Sequence, residues 1–128
     1  MKEIRLSRLE LQIMDALWER KEASIREIQE SFPETTRPAY ATIQTTIYRL
    51  ETKKAVRRTR KVGNFHMFSA IVSRDATQHR MLEDLLALFG GQSRPVMAHL
   101  IEAGKLTLDD VEFAEKTLKS MQKKGRKG

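Results

Sequence analysis

A mainly α-helical chain with one small β-hairpin is the fold class this sequence predicts, on three observations. Two segments have the form Ser-x-x-Glu, at Ser7 with Glu10 and at Ser24 with Glu27. In that arrangement the serine hydroxyl accepts from an orphan helix N–H and the glutamate reaches back to the cap. Two short runs, 56–61 and 65–70, flank Val62-Gly63-Asn64, where glycine can supply the positive φ of a hairpin turn. From Ser73 onward apolar residues recur at helical spacing and only glycine interrupts them.

The first helix is expected over 8–19. It carries one apolar stripe of Leu9, Ile13, Ala16 and Leu17 and another of Leu11, Met14 and Trp18. A helix apolar on two sides is buried between neighbours. The second, over 25–31, is short and ends before Pro33. A turn-rich link with Pro33, Thr35, Thr36 and Pro38 leads to a third helix over 41–53. Helix, helix, helix, hairpin is the order of a winged helix-turn-helix. Three more helices follow. The first, over 75–89, is stopped by Gly90-Gly91; the second opens at Ser93 and Pro95 and is closed by Gly104; Thr107 caps the third. Asp109 and Asp110 sit at the positive dipole end of that last helix, and Lys116 and Lys119 toward its close. These helices carry more apolar surface than they can hide among themselves. They read as a helical dimerisation arm in which Leu82, Leu85, Leu86, Phe89, Leu100, Ile101, Val111 and Leu118 form the seam. The expected division is a winged-helix domain at 1–72, a three-helix dimerisation domain at 73–121 and a basic, disordered tail at 122–128.

Charge is distributed unevenly. The net charge is +7, but 1–34 and 73–121 are each slightly acidic. The excess lies in 35–72, where eight basic residues meet the single acid Glu51, and in the tail. Such localisation points to a polyanion-binding surface. There is no cysteine, which excludes disulfides, thiolate metal sites and thiol redox sensing. The longest apolar run, 85–89, is far short of the ~20 residues a membrane helix needs. The first residues lack a basic-then-apolar signal segment, and the expected compartment is the cytoplasm.

On the third helix, plotted at about 100° per residue, Ile43, Ile47 and Leu50 share one arc and Thr42, Thr45, Thr46, Arg49 and Lys53 another. Threonine is a mediocre helix former that a merely solvated face seldom collects. Short hydroxyls beside an arginine suit base edges and phosphates. Thr42, Thr45, Thr46 and Arg49 are therefore the base-reading candidates. Ser24, Lys53, Arg57, Arg58, Arg60 and Lys61 are the phosphate candidates. Strand alternation would set Arg58 and Arg60 on one face of the hairpin and Arg57 and Lys61 on the other. A charged edge strand guards against aggregation as well, and the two roles coexist. His66, His79 and His99 lack metal-site spacing. No metal or cofactor is expected, nor a catalytic centre, since no nucleophile–base pair or phosphate-binding glycine loop is visible.

Ser7, Glu10, Met14 and Trp18, the string Thr42-Ile43-Gln44-Thr45 with Arg49-Leu50, and Gly63 with Phe68 together resemble the penicillinase-repressor family, the BlaI/MecI/CopY group of bacterial transcriptional repressors. The resemblance implies a homodimer on a near-palindromic double-stranded DNA operator, repressing antibiotic-resistance genes in many relatives. In some it also implies a receptor-metalloprotease that triggers cleavage in the C-terminal arm. The family's Asn-Phe cleavage pair is here His99-Leu100, and the C-terminal cysteines of its copper-responsive branch are absent. Lys54 stands where many relatives have glycine. The competing reading is a winged-helix protein-interaction module without specific DNA binding.

Overall fold

Both Ser-x-x-Glu segments close as capping boxes and fix where the first two helices begin. Glu10 N–H donates to Ser7 Oγ at 3.2 Å, and Ser7 N–H to Glu10 Oε1 at 2.7 Å. The same exchange joins Ser24 and Glu27 at 3.2 and 2.9 Å. In the computed structural model, which describes residues 5–126, the order is α1 (Arg8–Arg20), β1 (Ala23–Ser24), α2 (Ile25–Glu30), α3 (Tyr40–Thr52), β2 (Val56–Val62), β3 (Phe65–Ala70), α4 (Arg74–Leu88), α5 (Ser93–Glu102) and α6 (Leu108–Arg126). This is the predicted mainly helical chain with its hairpin. The two-residue β1 is an addition. It pairs antiparallel with β3, which becomes the centre of a three-stranded sheet ordered β1-β3-β2.

The chain divides into two compact units, Met1–His79 and Arg80–Gly128. The division falls within α4 rather than at the 72/73 junction expected from sequence. In the first unit Ile13, Met14 and Leu17 of α1 meet Ile28, Ile43, Ile47, Leu50, Val56 and Phe68 in one buried core. Truncating any one of these large side chains to alanine costs about 2–5 kcal/mol. The second apolar stripe of α1 is only half-buried outside Met14. It is used at Trp18, whose Nε1–H donates to Val72 O at 2.9 Å while the Arg74 guanidinium lies over the indole ring.

The end of α3 carries a strain that the sequence foreshadows. Ala55 N–H donates to Leu50 O and Lys54 N–H to Glu51 O, which puts Lys54 in the left-handed region at φ +65°. A side chain there costs about 1 kcal/mol relative to glycine. Lys54→Gly is therefore expected to raise the melting temperature of the domain by about 4–8 °C. An unchanged or lower value in a thermal melt would refute the strain.

In the second unit no described residue is fully buried. Leu86 and Phe89 are half-buried, and Phe89 meets the His99 ring edge-on at 5.8 Å. Leu82, Leu85, Leu100, Ile101, Val111 and Leu118 are exposed, as are Leu88, Leu108 and Phe113. Thr107 caps α6 as expected, through its exchange with Asp110. The residues from 122 onward, expected as a disordered tail, instead continue α6 to Arg126. Lys123 and Lys124 there lie at the negative end of the helix dipole, which favours helix. Lys127 lies outside the described residues. Among those residues no helix is long and apolar enough to cross a membrane.

Candidate nucleic-acid interface

The entry into α3 is fixed by side chains reaching backbone. Gln29 Nε2 donates to Pro38 O at 3.1 Å. Arg37 donates through Nε and Nη2 to Phe32 O and through Nη2 also to Glu30 O, satisfying carbonyls left over at the end of α2. With Ile43, Ile47 and Leu50 buried, the outward arc of α3 holds Ala41, Thr42, Thr45, Tyr48, Arg49 and Thr52, all exposed. Thr42, Thr45 and Arg49 thus lie together on the surface as predicted.

Thr46 does not. It is 5% exposed, and its Oγ1–H donates to Thr42 O at 2.7 Å. At about 100° per residue it stands nearer to Leu50 and Ile43 than to Thr45, so the core claims its methyl and the backbone its hydroxyl. Lys53 is also committed within the domain. Its ammonium donates to Glu10 Oε1 at 2.7 Å and to Arg5 O at 2.9 Å. Glu10 is buried, and burial alone would push its carboxyl up. The Lys53 ammonium and the two bonds with Ser7 outweigh that and hold it below its ordinary value. Sequence reasoning missed Tyr48, which the same angular plot places about 40° from Thr52 and about 60° from Thr45.

The wing is rearranged by a β-bulge. Arg58 pairs with Phe68 but Arg60 with Met67, so the register slips by one residue at Thr59. Directly opposed residues share a face. Arg58 and Lys61 therefore stand with Phe68 and His66, and Arg57 and Arg60 with Ser69 and Met67. The expected grouping of Arg58 with Arg60 is broken by that one extra residue.

Two of these cations are engaged. Arg58 forms a fork with Glu51 at 2.9 and 3.2 Å, and its guanidinium lies 5.4 Å from the Tyr48 ring centre and 5.6 Å from that of Phe68. Arg60 donates to Glu22 Oε1 at 2.7 and 2.9 Å, while Thr59 holds the other oxygen at 2.7 Å. Hydrogen bonds with these carboxylates raise both guanidinium pKa values, and the bonds from Arg60 and Thr59 lower that of Glu22. Arg57 and Lys61 are exposed, and neither forms an ion pair among the described residues. Ser24 is half-buried in β1 with its oxygen serving the cap of α2.

Between α3 and the wing lies a groove of about 210 Å³ lined by Ile25, Tyr40, Gln44, Tyr48, Asn64, Phe65, His66 and Phe68. Gln44 Nε2 donates to the Tyr48 hydroxyl at 3.1 Å, and both side chains line this groove. Of the three histidines only His66 belongs to this surface. No cluster among the described residues could hold a metal ion. His99 and Leu100 sit inside α5, whose backbone a protease would have to unwind before cutting.

Helix α3 thus presents threonines, a tyrosine and an arginine, Arg49, that forms no ion pair among the described residues, flanked by a basic two-stranded wing. A crystal structure of a mutant MarR from Escherichia coli shares the fold. It superposes with a TM-score of 0.52 over 91% of this chain and 78% of that one, at 15% identity. A search of curated proteins gives no significant sequence match. The sequence model described as penicillinase repressor matches residues 6–120, nearly the whole chain. By that match the chain, a winged-helix DNA-binding transcriptional regulator, belongs to the penicillinase repressor family.

Proposed function

We propose that the protein is a homodimeric repressor that reads a near-palindromic operator with the outward arc of α3, with β-lactam resistance or a related stress response as the regulated output. The observation that carries this reading is the outward arc itself. Thr42, Thr45, Tyr48 and Arg49 are all exposed, and Arg49 forms no ion pair among the described residues. A helix of this kind fits the major groove, where arginine can pair with a guanine edge and threonine methyls can touch thymine. Arg57 and Lys61 supply unpaired positive charge for phosphates beside it. Two such readers held by paired C-terminal arms would engage half-sites about one helical turn apart, or a multiple of it. The exposed leucines of the second unit support such pairing, because three helices without a buried core gain one by sharing it with a second copy.

Two measurements test the reading. With Arg57 and Lys61 each neutralising one phosphate per protomer, log K against log[salt] should fall with a slope of about −3.6 for the dimer. Fluorescence anisotropy on labelled duplexes gives that slope. Weak binding that salt leaves unchanged would favour the protein-interaction module instead. Leu118→Asp places a charge in the expected seam and should shift the dimer toward monomer in sedimentation velocity. An unshifted dimer would remove Leu118 from the interface. Release from the operator would proceed by unfolding of α5 and cleavage near His99 and Leu100, triggered by a receptor-metalloprotease.

A further inference from the structure

The segment 35–72 contains eight basic residues and one acid, and that acid is spent on a single contact. Glu51 emerges from the last turn of α3 and grips Arg58 of β2 with both oxygens. The register from Val56 sets Arg58 opposite Phe68, on the side of the hairpin that faces α3, where Tyr48 of α3 and Phe68 of β3 lie against its guanidinium; the bulge at Thr59 then turns Arg60 to the other side. On that side of the hairpin the other basic side chain is Lys61, which has no ion pair among the described residues. Arg60 is latched to Glu22 on the opposite side. The wing therefore carries four basic side chains and shows two of them unneutralised.

We infer that Glu51 is a specificity-determining residue that holds Arg58 away from DNA phosphate, trading sequence-independent affinity for discrimination. This deepens the repressor reading and rests on it. Phosphate contacts strengthen binding to every sequence alike, whereas base contacts separate one sequence from another. A cation withdrawn from phosphate therefore weakens background binding more than it weakens recognition. The same fork joins the recognition helix to the wing, so the two parts that would straddle a DNA backbone keep a fixed spacing. A carboxylate can hold the guanidinium against phosphate because both offer the same bidentate acceptor geometry. The intramolecular acid has the added advantage of two ring faces already packed on the cation. The Arg58 side chain is nonetheless 41% exposed, so phosphate can reach it once the latch is gone.

The test is a cycle of Glu51→Gln, Arg58→Ala and the double variant in the full-length protein. Affinity and salt slope are measured on a duplex selected by the wild-type protein and on its scrambled version. Glu51→Gln should tighten scrambled-DNA binding about five- to tenfold and steepen the slope by about 0.9 per protomer, the contribution of one more neutralised phosphate. The ratio of selected to scrambled affinity should fall. In the Arg58→Ala background Glu51→Gln should change affinity by less than about threefold, because no latched cation is left to release. An equal gain in both backgrounds would show that Glu51 merely repels DNA and would overturn the latch. So would a Glu51→Gln variant indistinguishable from wild type, or one that binds both duplexes more weakly with an unchanged slope. Failure of the repressor reading shows separately, as wild-type protein with no salt-sensitive binding. An exposed ion pair adds little to stability, and a thermal melt of each variant verifies that the fold persists.

Discussion

Arg49→Ala is expected to lower affinity for a duplex that the wild-type protein selects from a random pool by about tenfold to a hundredfold, the worth of a good bidentate base contact. Affinity for scrambled DNA should fall by less, roughly the loss of a single phosphate contact. The physical grounds are position and availability. Arg49 lies in the last turn of α3 on the same exposed arc as Thr42 and Thr45, and no carboxylate among the described residues engages it. Alanine is the best helix former, so the substitution removes the guanidinium without unwinding α3. Arg49→Lys separates charge from geometry. A lysine keeps the point charge but not the planar fork, and should recover scrambled-DNA binding while leaving selected-duplex binding depressed. Anisotropy titrations at one fixed salt concentration give all four numbers. Equal losses on both duplexes would demote Arg49 to a phosphate contact and leave the threonines and Tyr48 as the base readers.

What sequence could say about this interface follows the range of the forces involved. The capping boxes at Ser7 and Ser24, the core arc of Ile43, Ile47 and Leu50, and the glycine turn at Gly63 are set by residues within one or two helical turns of each other. They are readable for that reason. β1 is not, because its two residues become a strand only through Met67 and Phe68, far along the chain. The bulge at Thr59 escapes for the same reason, since register is a property of two strands and not of one. It overturns the grouping of the wing arginines. The engagements of Lys53 with Glu10, Arg58 with Glu51 and Arg60 with Glu22 turn a row of apparently equal cations into free and committed ones. Of these only Glu51 with Arg58 lies close in sequence, and that pair runs from a helix to a strand, where the periodicity of neither element reveals it. Thr46 fails on angular resolution. An arc drawn on a wheel has no sharp edge, and a residue between two faces goes to whichever neighbour packs it.

Lys53→Met should destabilise the first unit by about 2–4 kcal/mol at pH 7, because removing one partner strands a buried charge on the other. Glu10 is 3% exposed, and its Oε2 has no hydrogen-bond partner among the described residues. Its ionisation is sustained against burial by the Lys53 ammonium and by Ser7. In the wild type the folded-state pKa lies below the unfolded one. The contribution of Glu10 is therefore present above the unfolded value and is lost as pH falls through the folded one. Without Lys53 the lowering from its ammonium is lost while burial remains, so the folded pKa rises; the difference between the two proteins is greatest at neutral pH and relaxes as acid protonates the carboxyl. Urea unfolding of both proteins at neutral pH and again in mild acid, near the ordinary carboxylate range, should accordingly show a gap that narrows on acidification. Glu10→Gln combined with Lys53→Met should regain much of the loss at neutral pH, having no charge left to strand. A gap of the same size under both conditions would mean that Lys53 acts through its aliphatic stem or its bond to Arg5 O, not through Glu10. Because Lys53 caps α3 while Glu10 opens α1, the pair ties the far end of the recognition helix to the first helix of the core. The same variant should then lose selected-duplex affinity beyond its loss of one positive charge, as the helix that carries Arg49 frays from its C-terminal end.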